Sequence, residues 1–135
     1  MIRLDLTFKI GIKNEKMEFV IETNTAIHYG SGNLPVYATP AMVALMEGAA
    51  AASVENELPE GMSTVGISLT IQHLAATPLG MKVRATSELI EVHGKKLVFH
   101  VTAFDEKEKI GEGTHERFIV SADRFLQKTQ AKSKS

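Results

Sequence analysis

The chain of 135 residues contains no cysteine. Disulfide bonds, thiolate metal sites and a cysteine nucleophile are therefore excluded, because each of them needs a thiol. The absence of cysteine also fits a reducing compartment, so we expect a cytoplasmic protein.

An excess of charge of one sign is also missing. The chain has 15 Lys and Arg residues against 16 Asp and Glu residues, which gives a formal net charge of -1. A nucleic-acid partner is therefore not expected, because such proteins carry clustered positive charge. Hydrophobic residues make up 44% and charged residues 23%, and these fractions predict an ordinary globular domain.

No apolar run is long enough to cross a membrane. The longest, at residues 41–54, is shorter than the roughly 20 residues that a spanning helix needs, and it contains Glu47. The first five residues alternate apolar and charged side chains, which is not the pattern of a signal peptide. The sequence therefore predicts no membrane partner.

Alternation of apolar and polar residues predicts the strands. We expect them at residues 2–8, 17–22, 65–74, 81–92, 96–104 and 110–120. In the second of these, Met17, Phe19 and Ile21 share one face, and the preceding residues 13–16 have the composition of a turn. The last three strands are joined by short turns, which predicts an antiparallel meander.

One helix precedes the last four predicted strands. Thr39 is a good N-cap, Pro40 suits the first helical position, and Pro59 to Gly61 stop the helix near residue 57 or 58. The helix is apolar on all sides, which is typical of a buried helix. The sequence thus predicts an α+β domain at residues 1–122, a curved antiparallel sheet wrapped around one long central helix, followed by a polar tail at 123–135 that frays from about Gln127.

Glu47 is the only charged residue between Glu22 and Glu55, if histidine is counted as neutral. A carboxylate in such an apolar helix is expected to be largely desolvated. An unpaired buried charge costs several kcal/mol, so Glu47 needs a partner, a cavity or a proton. Two interpretations follow: a structural contact, to a cap or a partner subunit, or a catalytic role.

Thr39 and His73 are further candidates. Thr39 is either a simple N-cap or part of a helix start whose N–H groups stabilise a developing oxyanion. His73 lies near the end of the strand predicted at 65–74 and is either a structural or exposed residue or, paired with a buried Glu and with an ordinary pKa of about 6.5, a general base.

Two weaker candidates lie in the strands. Gly66 interrupts a strand, which marks either a bulge or a close approach of ligand to the backbone. Arg117 alternates with apolar residues and points either to solvent or to a phosphate group of a substrate. The remaining histidines show no metal-ligand spacing with acidic residues, so no metal site is expected: His28, His93, His100 and His115.

Several uncommon strings occur together in order. They are Tyr-Ala-Thr-Pro-Ala-Met-Val-Ala-Leu-Met-Glu at 37–47, Val-Gly at 65–66, Gln-His-Leu-Ala-Ala-Thr-Pro-Leu-Gly-Met at 72–81 and Ile-Gly-Glu-Gly-Thr-His-Glu-Arg-Phe at 110–118. Over residues 36–120 the chain resembles the fluoroacetyl-CoA-specific thioesterase family, a branch of the hotdog superfamily.

The resemblance implies a fold, a reaction and a set of residues. It implies a hotdog fold, an acyl-CoA substrate and a homodimer with its sites at the subunit interface. The family's catalytic residues fall on Thr39, Glu47 and His73, and its glycine beside the substrate falls on Gly66. Glu47 would attack the thioester or activate water. No metal or cofactor is implied, because coenzyme A is part of the substrate.

The chain departs from the family before the helix. Where the fluoroacetyl-specific enzyme has an aromatic lid, residues 28–33 include Gly30 and Asn33. The sequence therefore predicts a more general hydrolase of short acyl-CoA thioesters.

Two other functions are compatible with the fold. A non-catalytic acyl-CoA-binding module would not need the set of Thr39, Glu47 and His73. A CoA-ester hydratase or dehydratase would be expected to pair an Asp with a His in a helix-and-loop segment, and the sequence has no such pair.

Overall fold

The computed structural model describes residues 8–134, so the strand predicted at 2–8 lies almost wholly outside the described residues. The strands are β1 (Lys13–Phe19), β2 (Met62–His73), β3 (Lys82–His93), β4 (Lys96–Phe104) and β5 (Lys109–Ser121). The α-helices are α1 (Ala26–Tyr29), α2 (Thr39–Glu55) and α3 (Ala122–Gln130), and short 3-10 helices lie at Glu22–Asn24 and Ala131–Ser133.

The five strands form one antiparallel sheet in the order β1-β3-β4-β5-β2. The predicted meander is confirmed, because β3, β4 and β5 are neighbours in both sequence and space. The sheet curls around α2 and gives the α+β hotdog architecture that the sequence predicted. The two edge strands are β1 and β2, so β2, which follows α2 in the chain, has one free edge.

The core lies between α2 and the inner face of the sheet. Met42 and Met46 of α2 are fully buried, as are Leu89 and Phe99 of the sheet. Burial of a side chain of this size contributes about 1.5–3 kcal/mol. The helix comes very close to β5, because a Cβ on Gly111 would lie 2.5 Å from Met42 Sδ.

The turn predicted at residues 13–16 is wrong, because these residues form most of β1. An edge strand tolerates polar residues, and Asn14 Nδ2 donates a hydrogen bond to the Ala49 carbonyl of α2 at 3.1 Å. Met17 and Phe19 are 55% and 57% exposed, so the predicted apolar face of this strand does not face the core.

The face of β1 that contacts the rest of the protein carries polar side chains, among them Glu18. The buried Tyr37 donates its hydroxyl proton to Glu18 Oε2 at 2.5 Å. Burial, followed by the neighbouring Glu18 carboxylate, raises the pKa of Tyr37 above its ordinary value, so the phenol stays protonated.

The ends of the helices also differ from the prediction. Helix α2 begins at Thr39 with Ala38 as its N-cap, so Thr39 does not cap the helix with its side chain. Residues 122–130 form α3 where the sequence predicted a tail that frays from Gln127. Asp123 in its first turn and Lys128 in its last turn complement the helix dipole and favour this helix. Within residues 8–134, no helix is long and apolar enough to cross a membrane.

Candidate active site

Thr39 and His73 meet where the start of α2 lies beside the end of β2. Thr39 Oγ1 is 2.7 Å from His73 Nδ1. The hydroxyl is available for this contact because Ala38, not Thr39, occupies the N-cap position. A hydroxyl within about 2.6–3.2 Å of an imidazole is the arrangement of a nucleophile and its base.

The protonation state of His73 suits a base. Burial lowers the pKa of His73 below its ordinary value, so the ring is neutral at pH 7. When Thr39 donates to Nδ1, the neutral ring carries its proton on Nε2. Nε2 is buried and has no hydrogen-bond partner among the described residues, so only one of the two ring nitrogens is hydrogen-bonded.

A cavity of about 350 Å³ lies directly beside this pair. Ligand pockets typically have volumes of about 300–1,000 Å³. Besides Thr39 and His73, its walls carry mostly small side chains: Ala26, Ser31, Val36, Tyr37, Leu74, Ala75 and Ala76. A larger cleft of about 580 Å³ lies between β1, β3 and β4 and contains none of the candidate residues.

Glu47 lies in a second group of residues, in the middle of α2. Its Oε2 is 3.9 Å from Arg117 Nη1, and a Cβ on Gly66 would lie only 2.9 Å from the same oxygen. The bulge predicted at Gly66 is confirmed, because the register of β2 shifts between Gly66 and Ser68. The expected desolvation of Glu47 is wrong for this chain: its side chain is 41% exposed, since it faces the free edge of the sheet.

Arg117 points inward and is only 8% exposed. Its Nε donates to Thr64 Oγ1 at 2.8 Å, its Nη2 to the Thr64 carbonyl at 3.0 Å and its Nη1 to His115 Nε2 at 3.1 Å. Burial lowers the pKa of Arg117, and the carboxylates of Glu47 and Glu55 oppose that shift. The guanidinium therefore lies among Thr64, His115 and Glu47 instead of in solvent. A contact between Arg117 and the substrate stays a prediction.

The two groups of candidate residues are separate within one chain. Thr39 and Glu47 are eight residues apart on α2, which is about 12 Å along the helix axis. Within residues 8–134, no hydrogen bond or ion pair joins Glu47 to Thr39 or His73. One chain thus presents two half-sites, and both lie along β2 at the edge of the sheet. In the same part of the chain, no cluster of three or more His, Cys, Asp or Glu side chains is arranged to hold a metal ion.

Sequence reasoning missed His115 and Thr64, which hold Arg117 in place. The signal available was the alternation of β5, which places His115 and Arg117 on the same face of the strand. That pattern identifies a shared face but not the hydrogen bonds between them.

The sequence of this chain is similar to that of known thioesterases. The family model for the fluoroacetyl-CoA-specific thioesterase matches residues 20–123. A fluoroacetyl-CoA thioesterase from Streptantibioticus cattleyicolor is 39% identical over 98 residues, which cover 73% of this chain and 70% of the relative.

Solved structures agree with the sequence comparison. The structure of the fluoroacetyl-CoA thioesterase FlK superposes with a TM-score of 0.88 at 32% identity, covering 93% of this chain and 98% of that chain. A Thermus thermophilus hypothetical protein, described as a thioesterase superfamily member, superposes with a TM-score of 0.86 at 26% identity, covering 93% of each chain.

Proposed function

Because this chain belongs to the fluoroacetyl-CoA-specific thioesterase family, it is a hydrolase of acyl-CoA thioesters, and we propose that its substrates carry short acyl groups. We further propose Thr39, His73 and Glu47 as its catalytic residues. The observation that carries this proposal is the 2.7 Å contact of Thr39 Oγ1 with His73 Nδ1 beside a cavity of about 350 Å³.

In the first half of the proposed reaction, Thr39 Oγ1 attacks the thioester carbonyl carbon while its proton passes to His73 Nδ1. The carbon–sulfur bond then breaks, and His73 returns the proton to the departing CoA sulfur. The acyl group is left as an ester of Thr39. The developing oxyanion is placed near the N–H groups of the first turn of α2, where the helix dipole favours negative charge.

In the second half, water attacks the ester and gives its proton to His73. The Thr39–acyl bond breaks, the proton returns to Thr39 Oγ1, and the free acid leaves. This scheme uses no metal ion and no cofactor, because CoA belongs to the substrate. We propose the cytoplasm as the compartment, on the basis of the cysteine-free sequence.

We assign Glu47 to the site through a homodimer. The Nε2–H of His73 is buried and needs an acceptor, while Glu47 is half-exposed at the same sheet edge. If two β2 edges pair antiparallel around a twofold axis, the Gly66 end of one strand lies opposite the His73 end of the other. The partner subunit's Glu47 then accepts from His73 directly or through water. A monomer with full activity by sedimentation would contradict this assignment.

The small residues around the cavity support a short acyl group. Gly30 ends α1 in the left-handed conformation, with a φ of 68°, which a bulky side chain adopts only with strain. Neither Gly30 nor Asn33 has an aromatic ring, so these two positions carry no aromatic lid. We therefore expect hydrolysis of several short acyl-CoA thioesters, with no selectivity for the fluoroacetyl group.

The test is thiol release from a panel of acyl-CoA thioesters of increasing chain length, followed optically. We expect release from the short ones and none with His73→Ala or Glu47→Gln, while the exposed His100→Ala serves as the matched histidine control. Loss of unsaturation without thiol release would indicate a hydratase instead. Binding without turnover would indicate a non-catalytic acyl-CoA-binding module.

The nucleophile is tested separately by single-turnover reaction in labelled water and intact-protein mass. An acyl adduct on a Thr39-containing peptide supports the scheme. Label entering the Glu47 carboxylate would show instead that Glu47 attacks and forms an anhydride, and label only in the released acid without any adduct would indicate direct attack by water.

A further inference from the structure

His115 is a buried imidazole that the proposed reaction does not use. It lies on the inner face of β5, is 1% exposed, and its ring centroid is 6.4 Å from that of Phe99 on β4. A buried polar ring of this kind is expected to have both nitrogens in hydrogen bonds. Both nitrogens of His115 do have partners, and these partners determine its protonation state.

The two hydrogen bonds of His115 allow only one form of the ring. Nδ1 is 2.8 Å from the Ser68 carbonyl, which only accepts, so Nδ1 carries a hydrogen. Nε2 is 3.1 Å from Arg117 Nη1, which only donates, so Nε2 must offer a lone pair. His115 is thereby fixed as the neutral ring with its proton on Nδ1.

Arg117 in turn depends on this acceptor. Thr64 holds Nε and Nη2 of the guanidinium, and His115 holds Nη1, the nitrogen that is 3.9 Å from Glu47 Oε2. Without the His115 lone pair, a buried N–H of Nη1 is left without an acceptor, and the planar guanidinium loses one of the three contacts that orient it beside Glu47. We propose that His115 is a positioning residue for the thioesterase reaction: it holds Arg117 Nη1 against Glu47 and so fixes the carboxylate over Gly66.

This arrangement also responds to acid. A proton on Nε2 removes the lone pair that Arg117 uses and places two cations side by side. The charged groups around His115 are Arg117 and Glu116 on β5 and Glu47 on α2, and the Ser68 carbonyl of β2 lies at Nδ1. Burial is the main cause of the lowered pKa of His115; Arg117 adds to it, and the carbonyl and both carboxylates oppose it. His115 therefore takes up a proton and releases Arg117 only when the pH is below about 6.5, the ordinary pKa of a histidine side chain.

The first experiment reads the tautomer directly. In the full-length protein labelled with ¹⁵N-histidine, long-range ¹H–¹⁵N spectra distinguish protonated from bare ring nitrogens, and the His115→Gln spectrum identifies the His115 signals. We expect Nδ1 protonated and Nε2 bare at pH 7. A ring protonated on Nε2, or on both nitrogens, would overturn the proposal.

The second experiment compares three side chains at position 115 by kcat and pH profile. His115→Gln keeps one donor for Ser68 and one acceptor for Arg117 but does not titrate, whereas His115→Phe keeps the ring shape without either. We expect the Phe variant to lose roughly 10- to 100-fold in kcat, because a displacement of about 1 Å can cost about 100-fold. We expect the Gln variant to stay within a few-fold of wild type at pH 8.

The decisive readout is the activity ratio of His115→Gln to wild type, which remains available even if the Phe variant does not fold. As the pH falls and His115 of the wild type takes up a proton, this ratio should rise by up to about tenfold per pH unit. A ratio that does not change with pH would overturn the proposal. The inference rests on Glu47 being catalytic, and full activity of Glu47→Gln would contradict that function instead, whatever the His115 result.

Discussion

The carboxylate of Glu47 lies against the backbone of Gly66, so close that a Cβ at position 66 would be 2.9 Å from Glu47 Oε2. Real Cβ atoms do not approach an oxygen this closely, so either the strand or the carboxylate would have to move. The same Cβ would lie 3.2 Å from His115 Cε1 and 3.4 Å from Arg117 Nη1. The absence of a side chain at Gly66 is therefore part of how the Glu47 carboxylate is placed.

We predict that Gly66→Ala lowers kcat/KM by roughly 10- to 100-fold, because it displaces Glu47 by a fraction of an ångström or more. Steady-state thiol release measures the loss. Gly48→Ala is the matched control, since its Cβ would meet only the flexible end of Lys16 and alanine is favoured in a helix by about 1 kcal/mol. Wild-type activity in Gly66→Ala would contradict the placement of Glu47 on this strand.

The fold could be predicted from the sequence wherever one physical signal dominated. The strands β2 to β5 lie close to their predicted bounds, and in β3 buried residues alternate with less buried ones, because one of its faces packs on the core. The edge strand β1 was predicted only at residues 17–19, because its inner face carries Asn14 and Glu18, which bond to the helix backbone and to Tyr37. Alternation cannot identify a strand whose polar residues face inward.

The candidate site could be predicted only in part. Residue type and family resemblance indicated Thr39 and His73, but the 2.7 Å contact depends on tertiary packing between residues 34 positions apart. The exposure of Glu47 depends on β2 being an edge, and β2 pairs with β5 and not with its neighbour in sequence. No local pattern encodes that pairing.

We predict that Thr39→Val lowers kcat by at least about 100-fold, because valine has nearly the same shape but no hydroxyl to give its proton to His73. Thr39→Ser keeps the hydroxyl and should stay within roughly tenfold of wild type. Both variants should melt close to wild type, since the Thr39 hydroxyl does not cap α2. Equal rates for the Val and Ser variants would show that the hydroxyl takes no part in catalysis.

We predict that acid weakens the fold through His73. Burial lowers its pKa in the folded state, so between the unfolded value of about 6.5 and the lower folded value the unfolded chain binds more protons. The free energy of unfolding therefore decreases as the pH falls through that window and is insensitive to His73 above it. Urea unfolding at pH 7.5 and pH 5 measures the decrease in Glu47→Gln, because in the proposed dimer the partner subunit's Glu47 carboxylate raises the pKa of His73 and opposes the effect of burial.

The control for this effect is the same pair of urea titrations after a second substitution is added to Glu47→Gln. Adding His73→Gln should reduce the loss of stability between pH 7.5 and pH 5, because the glutamine side chain does not titrate. Adding His100→Gln removes an exposed imidazole on the outer face and serves as the control substitution at a histidine. An unchanged pH dependence after His73→Gln is added would rule out His73 as a source of acid sensitivity.

We predict that two inactive variants restore activity when their subunits are mixed. In the proposed dimer each site takes Glu47 from one subunit and Thr39 with His73 from the other. A heterodimer of Glu47→Gln and His73→Ala then has one intact site and one doubly defective site. Random exchange in an equal mixture should give about one quarter of wild-type activity, because half of the dimers are mixed and each has one working site.

A third variant makes this result specific. Thr39→Val and His73→Ala alter the same half-site, since these two side chains contact each other within one chain at 2.7 Å. Their mixed dimer has one defect in each site and should stay inactive, although its subunits exchange equally well. Thr39→Val mixed with Glu47→Gln should again recover about one quarter of the activity. Recovery in the first of these two mixtures, or failure in the second, would show that the three residues do not work across the subunit boundary.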